Sequence, residues 1–199
     1  MSEVEKLQNT GIKSGKNSEE SQAEEAKYLT FWTDGELFGI PICDVVQIVG
    51  MQEITPLPDF PDYARGVINL RGSIIPVIDM RIRLKRPEAS YSESTCIIVT
   101  SVQGTYLGFI VDTVDEVADI KSDKITPPPK VSKEITNRYL TGIGQIGKKV
   151  VLMLDVSKIL SESIFDQISQ MAKEAEASQS PAGKQDSKQE KNSQTNYNP

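Results

Sequence analysis

The sequence predicts an all-β protein made of two copies of one small five-stranded barrel packed together, with a helix near the C-terminal end and disordered tails. Three observations carry this. Gly66-Val67-Ile68-Asn69-Leu70-Arg71-Gly72-Ser73-Ile74-Ile75-Pro76-Val77-Ile78-Asp79 and Gly142-Ile143-Gly144-Gln145-Ile146-Gly147-Lys148-Lys149-Val150-Val151-Leu152-Met153-Leu154-Asp155 share one plan without a gap. Each opens on glycine, turns on polar residues and closes a β-branched run on aspartate. Two further blocks repeat in the same order: Phe38-Gly39-Ile40 with Val45 and Ile48 matches Leu107-Gly108-Phe109 with Val114 and Val117, and Ile54-Thr55-Pro56-Leu57-Pro58 matches Ile125-Thr126-Pro127-Pro128-Pro129. Finally, short apolar runs broken by turn residues fill both copies, the pattern of antiparallel sheet or small barrels.

Residues 1–27 are rich in Ser, Glu, Lys, Gln and Asn and have almost no apolar pattern, so they are expected to be a disordered tail. The first copy then reads as strands over about 28–33, 36–42, 45–50, 66–70 and 73–79, and the second over about 95–101, 105–111, 114–120, 142–146 and 149–155. Asp34-Gly35, Gln103-Gly104, Arg71-Gly72 and Gly147-Lys148 supply the hairpin turns. Five strands in about sixty residues is the size of an SH3-like barrel, giving lobe one over about 28–85 and lobe two over about 95–160. The spacing between matched blocks widens along the chain, as small loop insertions in the second copy would produce. Pro76 interrupts the strongest strand, which is therefore expected at an edge or at a bulge. Leu160, Ile164, Ile168 and Met171 then recur at helical spacing, predicting a helix over 161–176 capped by Ser161 or Ser163 and laid on the β core. Residues 177–199 return to tail composition.

Composition narrows the chemistry. With no histidine among 199 residues, imidazole bases, Ser–His–Asp triads and most zinc sites are ruled out, and an enzyme is not expected. Cys43 and Cys96 sit among apolar residues and are expected to be reduced, buried and structural. No cationic apolar leader or long uncharged apolar run occurs, so neither secretion nor membrane insertion is expected, and the cytoplasm is the natural compartment.

Individual motifs have plain readings. Gly142–Gly147 fits a dinucleotide fingerprint, but a strand follows where that chemistry needs a helix, so no nucleotide or other cofactor is expected. Asp112, Asp115, Glu116, Asp119 and Asp123 lack the spacing of a calcium loop and read as a solvated acidic face rather than a metal site. Asp79 and Asp155 are expected to cap the turns after their strands. The proline blocks read as rigid loops between strands. Arg65, Arg71, Arg81, Arg83, Lys85 and Arg86 lie within 65–86 against Asp79 alone. The chain as a whole is net −6, which disfavours nucleic acid and suits oriented docking with protein partners. Arg71, in a tight turn between apolar strands, is either a carboxylate-forking residue or a solvated turn residue.

Gly66-Val67-Ile68-Asn69-Leu70-Arg71-Gly72 running into Ile75-Pro76-Val77-Ile78-Asp79-Met80-Arg81 resembles the signature of the CheW family, the coupling proteins of bacterial chemotaxis. Phe38-Gly39-Ile40 with Val45, Ile48, Ile54-Thr55 and Pro58 resembles its earlier block, and Tyr139-Leu140-Thr141-Gly142-Ile143-Gly144 its late block. The match spans about 28–165. The resemblance implies two five-stranded SH3-like barrels with an apolar junction. It implies a non-enzymatic adaptor that binds the regulatory domain of a CheA-type histidine kinase and the cytoplasmic tip of chemoreceptors, recruited from the cytoplasm to receptor arrays, with contacts between CheW copies as a further option. A parallel chemosensory pathway, such as surface motility, is the alternative setting. Carried over by position, Arg71 and Ile74 match residues tied to coupling, Val45 and Gln47 a first-lobe interface, and Cys96 and Ile97 a strand facing the receptor groove. Gln47 departs from the pattern, since glutamate is common there, and Val49 replaces a residue that is frequently charged.

Overall fold

Turn chemistry organises the chain. Asp34-Gly35, Arg71-Gly72 and Gln103-Gly104 each place both central residues at positive φ, the backbone hand that joins twisted antiparallel strands without splaying them. In the computed structural model, which describes residues 25–128 and 138–178, these turns close hairpins within an all-β body. The strands are β1 (Glu25–Thr33), β2 (Glu36–Pro41), β3 (Val45–Gly50), β4 (Ala64–Leu70) and β5 (Ser73–Asp79). A four-residue helix α1 (Met80–Arg83) follows. Then come β6 (Cys96–Val102), β7 (Thr105–Val111), β8 (Thr113–Lys121), β9 (Leu140–Ile146) and β10 (Lys149–Leu154), and finally α2 (Glu162–Ser178). Each expected strand is present within a few residues of its expected bounds.

The strands do not sort by sequence half. One five-stranded sheet has the order β8-β1-β2-β10-β9 and the other β3-β6-β7-β5-β4. Each therefore joins the first two strands of one copy to the last three of the other. Contiguous lobes over about 28–85 and 95–160 are thus not the hydrogen-bonded units, and two parallel ladders make the exchange. β10 pairs with β2 through Met153 opposite Gly39, and β5 pairs with β7 through Val77 opposite Gly108. Those are equivalent positions of the repeat, so the duplication is visible as a pseudo-twofold relation. Isolated bridges Thr55–Val67 and Thr126–Ile143 likewise tie the segment after β3 to β4 and the segment after β8 to β9, curling each sheet toward closure. Gly66 is required there: at φ +141, a Cβ would run into the carbonyl of Thr55.

Three apolar clusters follow from this topology. Ile68, Ile75, Val77, Ile97, Val99 and Ile110 fill one barrel, and Leu37, Ala118, Ile120, Val151 and Met153 fill the other. The third and largest lies between them, with Phe31, Phe38, Ile78, Met80, Phe109 and Leu154 among its members. Along β6 the side chains alternate: Ile97 and Val99 point into a barrel while Ile98 joins the junction. Helix α2 seals part of that junction with Ile168, assisted by Ile164 and Phe165, and Ser169 hydrogen-bonds the hydroxyl of Thr105 at 3.0 Å. The helix begins one residue after Ser161, whose carbonyl accepts the first helical bond from the Phe165 N–H. The side chain of Met171 lies outside the described residues, as do residues 1–24 and 179–199 of the expected tails and Pro129 of the second proline block.

Some expectations are corrected. Residues 25–27, assigned by composition to the tail, extend β1 along β8, where backbone pairing and the Lys27–Asp119 (2.8 Å) and Lys121–Glu25 (3.3 Å) ion pairs replace apolar burial. Pro76 lies in an interior strand rather than at an edge. It is tolerated because the β7 ladder starts one residue later, at Val77. Cys43 is exposed, on a 3-10 turn (Ile42–Asp44) that lifts its side chain off the core, whereas Cys96 is half-buried; both thiols are free.

Candidate partner-binding site

Aspartates set the frame around the repeat signature. Asp79 caps α1, accepting from the backbone N–H of Arg81 (2.9 Å) and Ile82 (3.3 Å), and its second oxygen accepts the Tyr91 hydroxyl at 2.9 Å. Asp155 caps the equivalent turn, accepting from the Ser157 N–H at 3.0 Å. These bonds meet the capping role expected of both. Burial, and next the Asp79 carboxylate, push the Tyr91 phenol up to about 12.

The cations of 65–86 do not form the basic patch that the sequence suggests. Arg81 forks both oxygens of Asp112 at 2.7 Å and reaches Asp34 at 3.1 Å. Arg86 pairs with Glu36, and Arg65 with Glu88 at 3.1 Å. Arg83 lies between the rings of Tyr63 and Tyr139 and donates to the carbonyl of Ile159. The acidic run is likewise not simply solvated. Asp112 is held by Arg81, Asp119 by Lys27, and Asp115 by Lys149 at 2.8 Å, whose ammonium holds that carboxyl below the usual range. Among the described residues no cluster of Cys, Asp and Glu could hold a metal ion. The glycines of 142–147 belong to β9 and its turn rather than to a helix N-terminus.

Arg71 is left exposed, and among the described residues it has no ion pair. Its turn is fixed from below, where the Asn69 side chain accepts from the Gly72 N–H at 2.9 Å, and its own φ is +55. The guanidinium edges a depression of about 180 Å³ at the mouth of the β3–β7 barrel. Leu70, Ile75 and Val99 line it, together with Val46, Gln47 and Tyr106. β3 carries a register shift between Val45 and Gln47, a bulge that brings neighbouring side chains of one edge strand to the same mouth. Val46 and Tyr106 on its rim are 48% and 44% exposed, and Ile48, further along β3 and outside the depression, is 44% exposed, large values for apolar side chains.

The structure therefore brings Gln47 and Arg71 together and separates the other expected site residues. Val45 and Cys96 are half-buried against the inter-barrel cluster, and burial pushes the Cys96 thiol up. Ile74 is half-buried opposite Asn69, outside the depression. Ile97 is 0% exposed inside the barrel. It can shape a partner surface from beneath but cannot touch one, because the β6 alternation turns it inward. Val46 and Tyr106 are not among the expected site residues, and Ile48 figures in the sequence only as part of a matched block. The run Val45-Val46-Gln47-Ile48-Val49 has no clean alternation that says which side chains face out.

Residues 27–163 match the family model described as the CheW-like domain. The chemotaxis protein CheW of Klebsiella aerogenes is 33% identical over 147 residues, covering 74% of this chain and 89% of that protein. Protein FrzA of Myxococcus xanthus is 30% identical over 139 residues, covering 68% of this chain and 86% of that protein. Among solved structures, the scaffolding protein TtCheW of Thermoanaerobacter tengcongensis superposes with a TM-score of 0.64 at 34% identity, covering 68% of this chain and 92% of that one.

Proposed function

This chain belongs to the CheW family of adaptor and scaffold proteins, and from that premise we propose that it couples chemoreceptors to a CheA-type histidine kinase. It binds the kinase through the regulatory domain and the receptor through the cytoplasmic tip, acting in the cytoplasm at membrane-bound arrays. It performs no chemistry of its own. What it supplies is surfaces held at a fixed spacing by the inter-barrel cluster, the largest apolar cluster among the described residues. The observation that carries the proposal is the meeting of Gln47 and Arg71 at one apolar depression, two positions that the family resemblance ties to partner contacts. Among the described residues no helix is long and apolar enough to cross a membrane, so arrival at the array depends on protein contacts.

The test is direct binding. Tagged chain is presented with the purified kinase regulatory domain and, separately, with a receptor signalling tip. Both are retained by the native sequence, and Arg71→Glu loses at least one. Retention of both by Arg71→Glu removes Arg71 from the interface.

A second setting is favoured by one observation: FrzA, whose name does not mention chemotaxis, is about as similar as the chemotaxis relatives. In that setting the same adaptor serves a parallel sensory pathway, such as surface motility, with its own kinase. Offering two purified kinases in competition distinguishes the settings.

A further inference from the structure

We propose that the α1 segment is a clamp: Arg81, Arg83 and Arg86 hold the two barrels at one fixed angle, and that angle lets the adaptor pass the state of one partner to the other. The proposal rests on the adaptor function above and names positioning residues for it.

α1 follows β5, a strand of one barrel, yet its arginines find their partners on or beside the other. Arg81 reaches Asp34 of the β1–β2 turn at 3.1 Å while forking Asp112, the residue at which the chain crosses from β7 to β8. Arg86 pairs with Glu36 at the start of β2. Arg83 lies between Tyr63, one residue before β4, and Tyr139, one residue before β9, so each barrel contributes one ring to the same cation. Its Nε donates to the Ile159 carbonyl. By the spacing that pairs Asp79 with Asp155, Ile159 is the repeat counterpart of Arg83 itself, so this contact sits where the two copies meet.

The second copy carries no such clamp. The counterparts of Arg81, Arg83 and Arg86 are Ser157, Ile159 and Glu162, none of them cationic. That copy reaches across with α2 instead, through Ile164, Phe165 and Ile168 and the bond between Ser169 and Thr105. Apolar contact attracts without direction. A forked guanidinium and a cation held between two rings fix orientation as well as distance. The side chains of Arg81, Asp112 and Asp34 are 21%, 30% and 33% exposed, so salt screens them less than fully solvated pairs. Displacement passes between distant sites through packed and hydrogen-bonded rigid elements. An adaptor that hinged at the junction would hold both partners and transmit nothing between them.

Spin labels test the angle in the full chain. They are placed at Ser101→Cys on β6 and Val150→Cys on β10, both exposed positions, with Cys43 and Cys96 replaced by serine. The distance between the labels is narrowly distributed with Arg83 present. It broadens in Arg83→Met, which keeps an apolar stem and loses the charge. Without labels, Arg83→Met binds the purified kinase regulatory domain and the receptor tip, each alone, with near-native affinity. The response of kinase activity to receptor in the reconstituted assembly falls about fivefold or more. Arg83→Lys restores part of both readouts, and Arg86→Gln, at the outer end of the clamp, shows the same pattern at smaller size and decides the matter if Arg83→Met does not fold. A native distance distribution with native kinase response in these variants overturns the proposal. So does a fall in response matched by an equal fall in either separate affinity, which is what a merely structural role gives. A native chain that leaves the kinase unresponsive to receptor overturns the adaptor function instead.

Discussion

The guanidinium carbon of Arg83 lies 4.4 Å from the centre of the Tyr139 ring. Tyr63, the repeat equivalent of Tyr139, covers the same cation at 4.7 Å. Both tyrosines also use their carbonyls identically, accepting from the N–H of Asp79 and Asp155. One arginine with no counterpart in the second copy is thus shared by two copies of the same motif, and its bond to the Ile159 carbonyl completes the strut. Arg83→Ala strips two aromatic faces of their cation and leaves that carbonyl without its donor. We expect a loss of ~2–3 kcal/mol in urea unfolding, with Arg83→Lys intermediate. A native midpoint in Arg83→Ala contradicts the strut.

Exchange of strands between the copies makes the two barrels one folding unit. Neither sheet can be completed from one half of the sequence. Unfolding is expected to be a single transition, with the fluorescence of Trp32, which packs against the Leu37 barrel, coinciding with far-ultraviolet circular dichroism. A fragment ending at residue 90 lacks β6 and β7 and is expected not to fold. Two resolved transitions, or a folded fragment, contradict this.

The turn at Arg71 trades stability for a displayed charge. Asn tolerates φ +55 better than Arg does. Arg71→Asn is therefore expected to raise unfolding free energy by ~0.5–1 kcal/mol while weakening partner binding. Loss of stability in this variant contradicts the reading of the turn.

Tyr91 gives a pH signature. Its phenol is raised to about 12 from an ordinary value of 10.0, chiefly by burial and then by Asp79. A raised folded value means the neutral phenol is favoured in the fold. Its contribution is complete below pH 10 and is lost as pH climbs through about 12. Tyr91→Phe is expected to flatten the fall in melting temperature across that window relative to the native chain. Parallel slopes contradict it.

Strand positions were legible because glycine turns and β-branched runs are local features, and the matched blocks exposed the duplication. Strand exchange was not. Repetition shows which segments are alike, but the Gly39–Met153 and Gly108–Val77 ladders depend on which copies pair, and either choice buries the same apolar faces. For the site, Arg71 and Gln47 were legible through family resemblance, and their meeting through neither composition nor spacing. Ile97 was misplaced because strand alternation fixes its face only once the sheet is known. The basic patch dissolved for a related reason. Arg81 finds Asp34 and Asp112 across sequence separations of 47 and 31 residues, which a local charge count cannot see.

Co-sedimentation with receptor-bearing membranes tests coupling most directly. Membranes carrying the chemoreceptor are mixed with purified CheA-type kinase, with and without the chain. The kinase is expected to pellet with the membranes only when the chain is present, and to stay in solution when Arg71→Glu replaces it. Kinase pelleting to the same extent without the chain would contradict the adaptor function.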